Sequence, residues 1–183
     1  EYSNKARQII SRMTLKEKIG QLHQITITPY SNDMDKLRQL IKNGEIGSLI
    51  LASSATAGND PQGHVKMDAY NELQKIAVEE SRLGIPMIFG RDVIHGHRTV
   101  YPLPLASAAA FNDELVEKCY RNIAVEALAD GIRWTFSPML DVARDPRWGR
   151  VAEGSGEDPY LDVQMGLAMV RGYQGEDLSN PAS

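Results

Sequence analysis

The order of apolar segments predicts an α/β fold built on a parallel sheet or barrel. Two observations carry that prediction. Short apolar runs alternate with longer stretches of helical spacing, so that successive strands are joined by helices rather than by tight turns. Two of the loops that leave these runs are long and rich in charged and aromatic residues, as expected where strand ends build a site.

The first helix is marked by Thr14-Leu15-Lys16-Glu17, a capping box in which both side chains satisfy backbone N–H groups of the first turn. Leu15, Ile19, Leu22 and then Ile25 follow at helical spacing, so the helix is expected to reach Ile25. A second helix is expected over 34–43, ended by Gly44, a residue suited to the left-handed cap. Three strand-then-helix units come next: strand 47–51 with helix 65–82, strand 86–90 with helix 113–130, and strand 133–137 with helix 160–173. The long loops are 91–112 and 138–159, and the polar tail after Gly175 reads as a loop approaching a further strand. No internal repeat, low-complexity tract or dividing linker interrupts this order.

The chain has 183 residues, 42% hydrophobic and 24% charged, which is the composition of an ordinary globular domain. It is short of the roughly 250 residues of a complete eight-fold barrel. A net charge of −4 with scattered Lys and Arg argues against nucleic acid as a partner. No apolar run approaches the ~18 residues that a membrane span needs, and Glu1-Tyr2-Ser3-Asn4-Lys5 is not a signal peptide. The single cysteine, Cys119, can form no internal disulfide and reads as a small core residue.

Chemistry is concentrated in the two long loops. The first opens Gly90-Arg91-Asp92-Val93-Ile94-His95-Gly96-His97-Arg98, with an acid, two imidazoles and a guanidinium just past a strand. Vicinal sugar hydroxyls are donors and acceptors together, so a carboxylate that accepts from them and an arginine that donates to oxygens fix a sugar by charge-assisted bonds. Asp92 could equally cap its own loop, and His95 and His97 could be structural histidines bonded to backbone. The second loop gathers three arginines and four carboxylates in 144–158, a set that on a solvated surface would only pair with itself. Trp148, set among those charges beside a glycine, argues for more, because an exposed indole suits stacking on a sugar face.

Asp92 to Arg98, Phe136-Ser137-Pro138-Met139-Leu140-Asp141-Val142, the run Arg144 to Arg150 and Glu157-Asp158-Pro159 together resemble glycoside hydrolase family 3, especially its bacterial periplasmic β-glucosidase-like branch. The resemblance extends from Met13-Thr14-Leu15-Lys16-Glu17-Lys18 to the end of the chain. It implies the N-terminal portion of a (β/α)8 TIM-like barrel, its first three βα units preceded by N-terminal helices, with the rest of the barrel and a second α/β domain on further polypeptide. By the family's motifs Asp92, Arg98 and Arg150 are the substrate-binding residues, the arginines steadying the Asp92 carboxylate, and Glu157 and Asp158 support the arginines from behind.

The same resemblance implies retaining removal of terminal β-D-glucosyl residues from β-glucosides or β-gluco-oligosaccharides, in the periplasm or outside the cell, with no cofactor and no metal. The catalytic pair, a nucleophilic Asp in a Ser-Asp-Trp-like motif and an acid/base Glu, is expected downstream, so the catalytic residues are none of those present and the chain alone is expected to be inactive. β-Xylosidase and β-N-acetylglucosaminidase activities lie within the family, and the arginine run favours the glucosidase-like branch. Two other classes stay open. One is a non-catalytic carbohydrate-binding fragment using the same pocket. The other is a metal-dependent amidohydrolase built on His95-Gly96-His97, whose further ligands could not come from His23 and His64, which precede it in the first helix and a loop.

Overall fold

A computed structural model of the chain describes residues 2–27, 34–51 and 67–179. These pack as two compact units, one up to Gly90 and one from Arg91 onward.

The first unit opens with α1 (Tyr2–Arg12) and α2 (Leu15–Leu22). α2 starts as its capping box requires: the Glu17 N–H donates to Thr14 Oγ1 at 3.2 Å, and the Thr14 N–H donates to Glu17 Oε2 at 2.8 Å. Its apolar stripe faces outward, with Leu15, Ile19 and Leu22 all more than half exposed, while Glu17 and Gly20 are the residues it buries.

The helix does not reach Ile25. His23 is already extended, and Ile25 lies in β1 (Gln24–Ile27). Gln-Ile-Thr-Ile alternates polar with β-branched side chains and ends in two more β-branched residues, a pattern that fits a pleated strand better than a helix. β1 pairs in parallel with β2 (Ser48–Leu51), Ile25 opposite Leu49. β3 (Ile88–Gly90) pairs in parallel on the other side of β2, so the order is β1-β2-β3.

Helix α3 (Met34–Lys42) lies in the first connection and α4 (Met67–Lys75) in the second, as parallel pairing demands. The expected 65–82 helix lies partly outside the described residues, and α4 gives way to a π turn at Ile76–Glu80. The Gln74 amide then bonds to both backbone groups of Met87, accepting from its N–H at 2.8 Å and donating to its carbonyl at 3.2 Å, which sets where β3 begins. Leu49, Leu51 and Phe89 of the sheet and Leu37, Ile41, Leu73 and Ile76 of the helices form the buried apolar core.

The second unit holds α5 (Pro104–Ala108), α6 (Asp113–Ala129) and α7 (Pro159–Gln174). Asn112 caps α6 by accepting from the Leu115 N–H at 2.9 Å, and Asp158 caps α7 by accepting from Tyr160 at 2.8 Å. α6 and α7 approach closely at Gly172, where a Cβ would lie 2.6 Å from the Glu117 carbonyl oxygen and 2.8 Å from Tyr120 Cβ. Tyr120 and Tyr173 meet edge to face across this contact, ring centroids 5.1 Å apart.

Residues 133–137, expected as the third strand, belong to no sheet among the described residues. Trp134 is an isolated bridge residue, its carbonyl accepting the Arg91 N–H at 2.9 Å. Trp134 and Phe136 lean together at 5.2 Å and stay partly exposed. A strand is held by backbone bonds to neighbours, and one such bond does not make a ladder.

Candidate functional site

The candidate residues all lie in the second unit. Asp92, two residues beyond the end of β3 in the sequence, is half-buried, and its Oδ1 accepts the Ile94 N–H at 3.2 Å. That bond closes a small loop of the kind aspartate favours, so the capping role and a free carboxylate edge coexist. Burial pushes the Asp92 carboxyl above its ordinary range, and the nearby Glu153 charge adds to this. The Ile94 N–H, Arg150 and His95 pull it back.

Three side chains from α6 and α7, together with Asp130 just after α6, hold the segment that follows. The Tyr173 hydroxyl donates to the Val93 carbonyl at 3.2 Å and the Tyr120 hydroxyl to the Ile94 carbonyl at 2.9 Å. Burial raises both phenols well above the ordinary tyrosine value, so both act as neutral donors. Glu126 accepts the N–H groups of Arg98 at 3.0 Å and Thr99 at 2.8 Å. Asp130 accepts from His97 Nε2 at 2.7 Å and from Arg98 Nε at 2.9 Å and Nη2. Gly96, with φ +148, lets the chain double back so that it bridges Val100; a Cβ there would sit 2.1 Å from the Thr99 carbonyl oxygen.

Arg98 therefore does not steady Asp92, as the sequence suggested; its guanidinium is bound to Asp130. Arg150 is near Asp92, yet its bidentate partner is Glu153, with Nε to Oε1 at 3.0 Å and Nη2 to Oε2 at 2.7 Å. Asp141 adds its charge to the Arg150 surroundings. The result is a carboxylate, a guanidinium and a second carboxylate side by side, with the Arg150 side chain more than half exposed. Such a group can accept from sugar hydroxyls and donate to sugar oxygens without first breaking a buried pair.

Glu157 is exposed, and Asp158 uses its carboxylate on the α7 cap rather than on Arg98 or Arg150. The two imidazoles take different partners: His97 turns to Asp130, and His95 Nδ1 lies 2.9 Å from the Tyr101 carbonyl. No group of three or more His, Cys, Asp or Glu side chains suited to a metal occurs among the described residues, and His64 lies outside them. No described helix is long and apolar enough to cross a membrane.

Sequence reasoning counted Glu153 among the loop carboxylates without pairing it with Arg150, although Arg-Val-Ala-Glu places it three residues later, a spacing that brings side chains together on one turn. It also missed Asp130, Tyr120 and Tyr173. Their bonds to the loop join segments 26 to 80 residues apart in the sequence.

Within the second unit Asp92, Arg150 and Glu153 form a group of two carboxylates and a guanidinium whose chemistry suits a polar ligand. The chain belongs to glycosyl hydrolase family 3: the model of that family's N-terminal domain matches residues 14–182. It is 40% identical over 168 residues to a periplasmic β-glucosidase of Salmonella typhimurium, covering 92% of this chain and 20% of that protein. A putative β-xylosidase of Formosa agariphila is 34% identical, with 91% of this chain and 23% of that protein covered. Among solved structures, a β-glucosidase from Listeria innocua in complex with glucose superimposes with a TM-score of 0.78 at 40% identity, over 94% of this chain and 24% of that one. The chain thus spans a fifth to a quarter of the length of these relatives.

Proposed function

We propose that this chain supplies the sugar-holding part of a retaining, exo-acting β-glucosidase, working together with further polypeptide of the kind its longer relatives carry. Asp92 accepts from hydroxyls of the terminal, non-reducing-end glucosyl unit, and Arg150, carried by Glu153, donates to its oxygens. Arg98 serves the site from the loop, through Asp130. The single observation that supports this most is the half-buried Asp92 beside the Arg150–Glu153 pair in a family 3 N-terminal domain.

The scaffold fits the opening part of a (β/α)8 barrel, with three parallel strands in sequential order and helices in both connections. The reaction is double displacement by two carboxylates about 5 to 5.5 Å apart, one forming a glycosyl-enzyme intermediate and the other acting as acid and then base. Both are assigned to polypeptide outside these residues, and none of the carboxylates described above is given their role. The named relatives support a periplasmic or secreted setting and glucosides as substrates, and the Formosa agariphila relative makes β-xylosides the comparison substrate.

The test is hydrolysis of p-nitrophenyl β-D-glucoside and β-D-xyloside by the 183-residue chain and by a version extended to the length of its relatives. Turnover of the glucoside by the extended protein alone is the expected result. Activity of the short chain would overturn the assignment of the catalytic pair, and preference for the xyloside would overturn the substrate. An extended protein that binds glucose without turnover would make the chain a carbohydrate-binding element.

A further inference from the structure

The loop that carries Asp92 is tied at its far end to one buried carboxylate. Asp130, the residue that follows α6, is 6% exposed in its side chain and accepts from both His97 and Arg98. Burial alone would raise the Asp130 carboxyl, but the donations from Arg98 and His97 outweigh it and hold the group below its ordinary range, so it stays charged. Four residues earlier, on α6, Glu126 accepts the N–H groups of Arg98 and Thr99 and the Thr99 hydroxyl. The near end of the loop is held independently by Tyr173 on Val93 and Tyr120 on Ile94.

We propose that Asp130 is a positioning residue of the sugar site, acting through His97 and Arg98 on the loop that presents Asp92. This rests on the reading of Asp92 as a sugar ligand. The Asp130 carboxylate is buried while the Arg98 side chain is mostly exposed, so their pairing adds little net stability, and its consequence is where the loop is held. The stretch from Ile94 to His97 is short and contains the tight Gly96 reversal, and the Asp92 carboxylate accepts the Ile94 N–H, so release at His97 and Arg98 reaches Asp92 through His95 and Ile94. A side chain held in place by its supporting shell is what a polar ligand site requires.

The test is a double-mutant cycle in the extended polypeptide, read as kcat/KM on p-nitrophenyl β-D-glucoside with thermal unfolding measured alongside. Asp130→Asn, which keeps the shape and removes the charge, is expected to lower kcat/KM about tenfold in the parent and less than about twofold in an Asp92→Ala background. The asymmetry arises because a loop without its carboxylate has nothing left to position. Equal losses in both backgrounds mark a merely structural role and overturn the proposal, as does an unchanged parent. If Asp130→Asn gives no cooperative unfolding, Glu126→Ala decides: a loss of about threefold confined to the Asp92 background is expected, and equal or absent losses overturn the proposal. Should the parent be inactive, or Asp92→Ala have no effect, the reading of the site itself fails and this inference with it.

Discussion

The Arg98 guanidinium is bound to the Asp130 carboxylate and not to Asp92, six residues before it on the same loop. Arg98 and Arg150, equivalent on the page of the sequence, therefore differ in what they hold. Removal of Arg98 leaves a buried carboxylate with His97 as its remaining side-chain donor among the described residues, whereas removal of Arg150 leaves the partly exposed Glu153. Arg98→Ala is expected to lower the thermal unfolding midpoint clearly and Arg150→Ala to leave it nearly unchanged. Calorimetry of the two variants checks this, and equal midpoints would contradict the assignment.

Asp92 has the converse profile. It accepts one backbone N–H among the described residues, so its loss costs little structure and much recognition. Asp92→Ala in the extended protein is expected to lower kcat/KM on β-glucosides by about a hundredfold or more, since Arg150 and the sugar hydroxyls lose a charged partner together. A loss below about threefold would remove Asp92 from the site.

What the sequence disclosed and what it hid follow one physical division. Local rules predicted the start of α2 from Thr14 and Glu17, and the order of β2, β3, α6 and α7 from alternating periodicity. Asp92 and Arg150 stand out in compact motifs, and the structure brings their charges near each other. Ile25 was assigned to a helix because its spacing fits both a helix and a strand, and only pairing with β2 decides between them. The stretch 133–137 has the composition of a strand, but strand formation depends on neighbours that composition does not reveal. Asp130 and the two tyrosines were hidden for the same reason, since their bonds to the loop span 26 to 80 residues of sequence.

The α6–α7 contact supplies a stability prediction. Gly172 faces the Glu117 carbonyl and Tyr120 Cβ at distances no methyl group can share. Gly172→Ala forces the helices apart and disturbs the Tyr120–Tyr173 pair, so a loss of about 1–3 kcal/mol is expected by the general cost of overpacking. Denaturant titration measures it. A stabilised variant, as helix propensity alone would give, would show that the helices separate freely.

Glu17 provides a pH dependence with a defined sign. Its hydrogen bond with Arg82, helped by the Thr14 N–H, lowers its pKa from 4.5 to about 2. A carboxyl whose folded value lies below its unfolded value contributes stability that is complete above the unfolded value and is lost as pH falls through the folded one. The difference in unfolding midpoint between the parent and Glu17→Gln should thus be largest above about pH 4.5 and vanish near pH 2. Curves that coincide at neutral pH would show that the pair contributes nothing.

Glu153 offers the corresponding test at the site. Asp92 is held above its ordinary range first by burial and then by the Glu153 charge, against the pull of the Ile94 N–H, Arg150 and His95. Glu153→Gln removes the negative neighbour and at the same time releases the Arg150 guanidinium from its strongest partner. Both changes favour the ionised form of Asp92, so its pKa must fall. If sugar recognition needs the Asp92 carboxylate, the acid-side limb of kcat/KM in the extended protein moves to lower pH in this variant. Arg150 also touches the proposed sugar position, so its release alters the height of the profile. The position of the limb reports the Asp92 charge separately from that height. A limb that moves to higher pH, or stays where it is, would mean that Asp92 does not act as the ionised acceptor of the site.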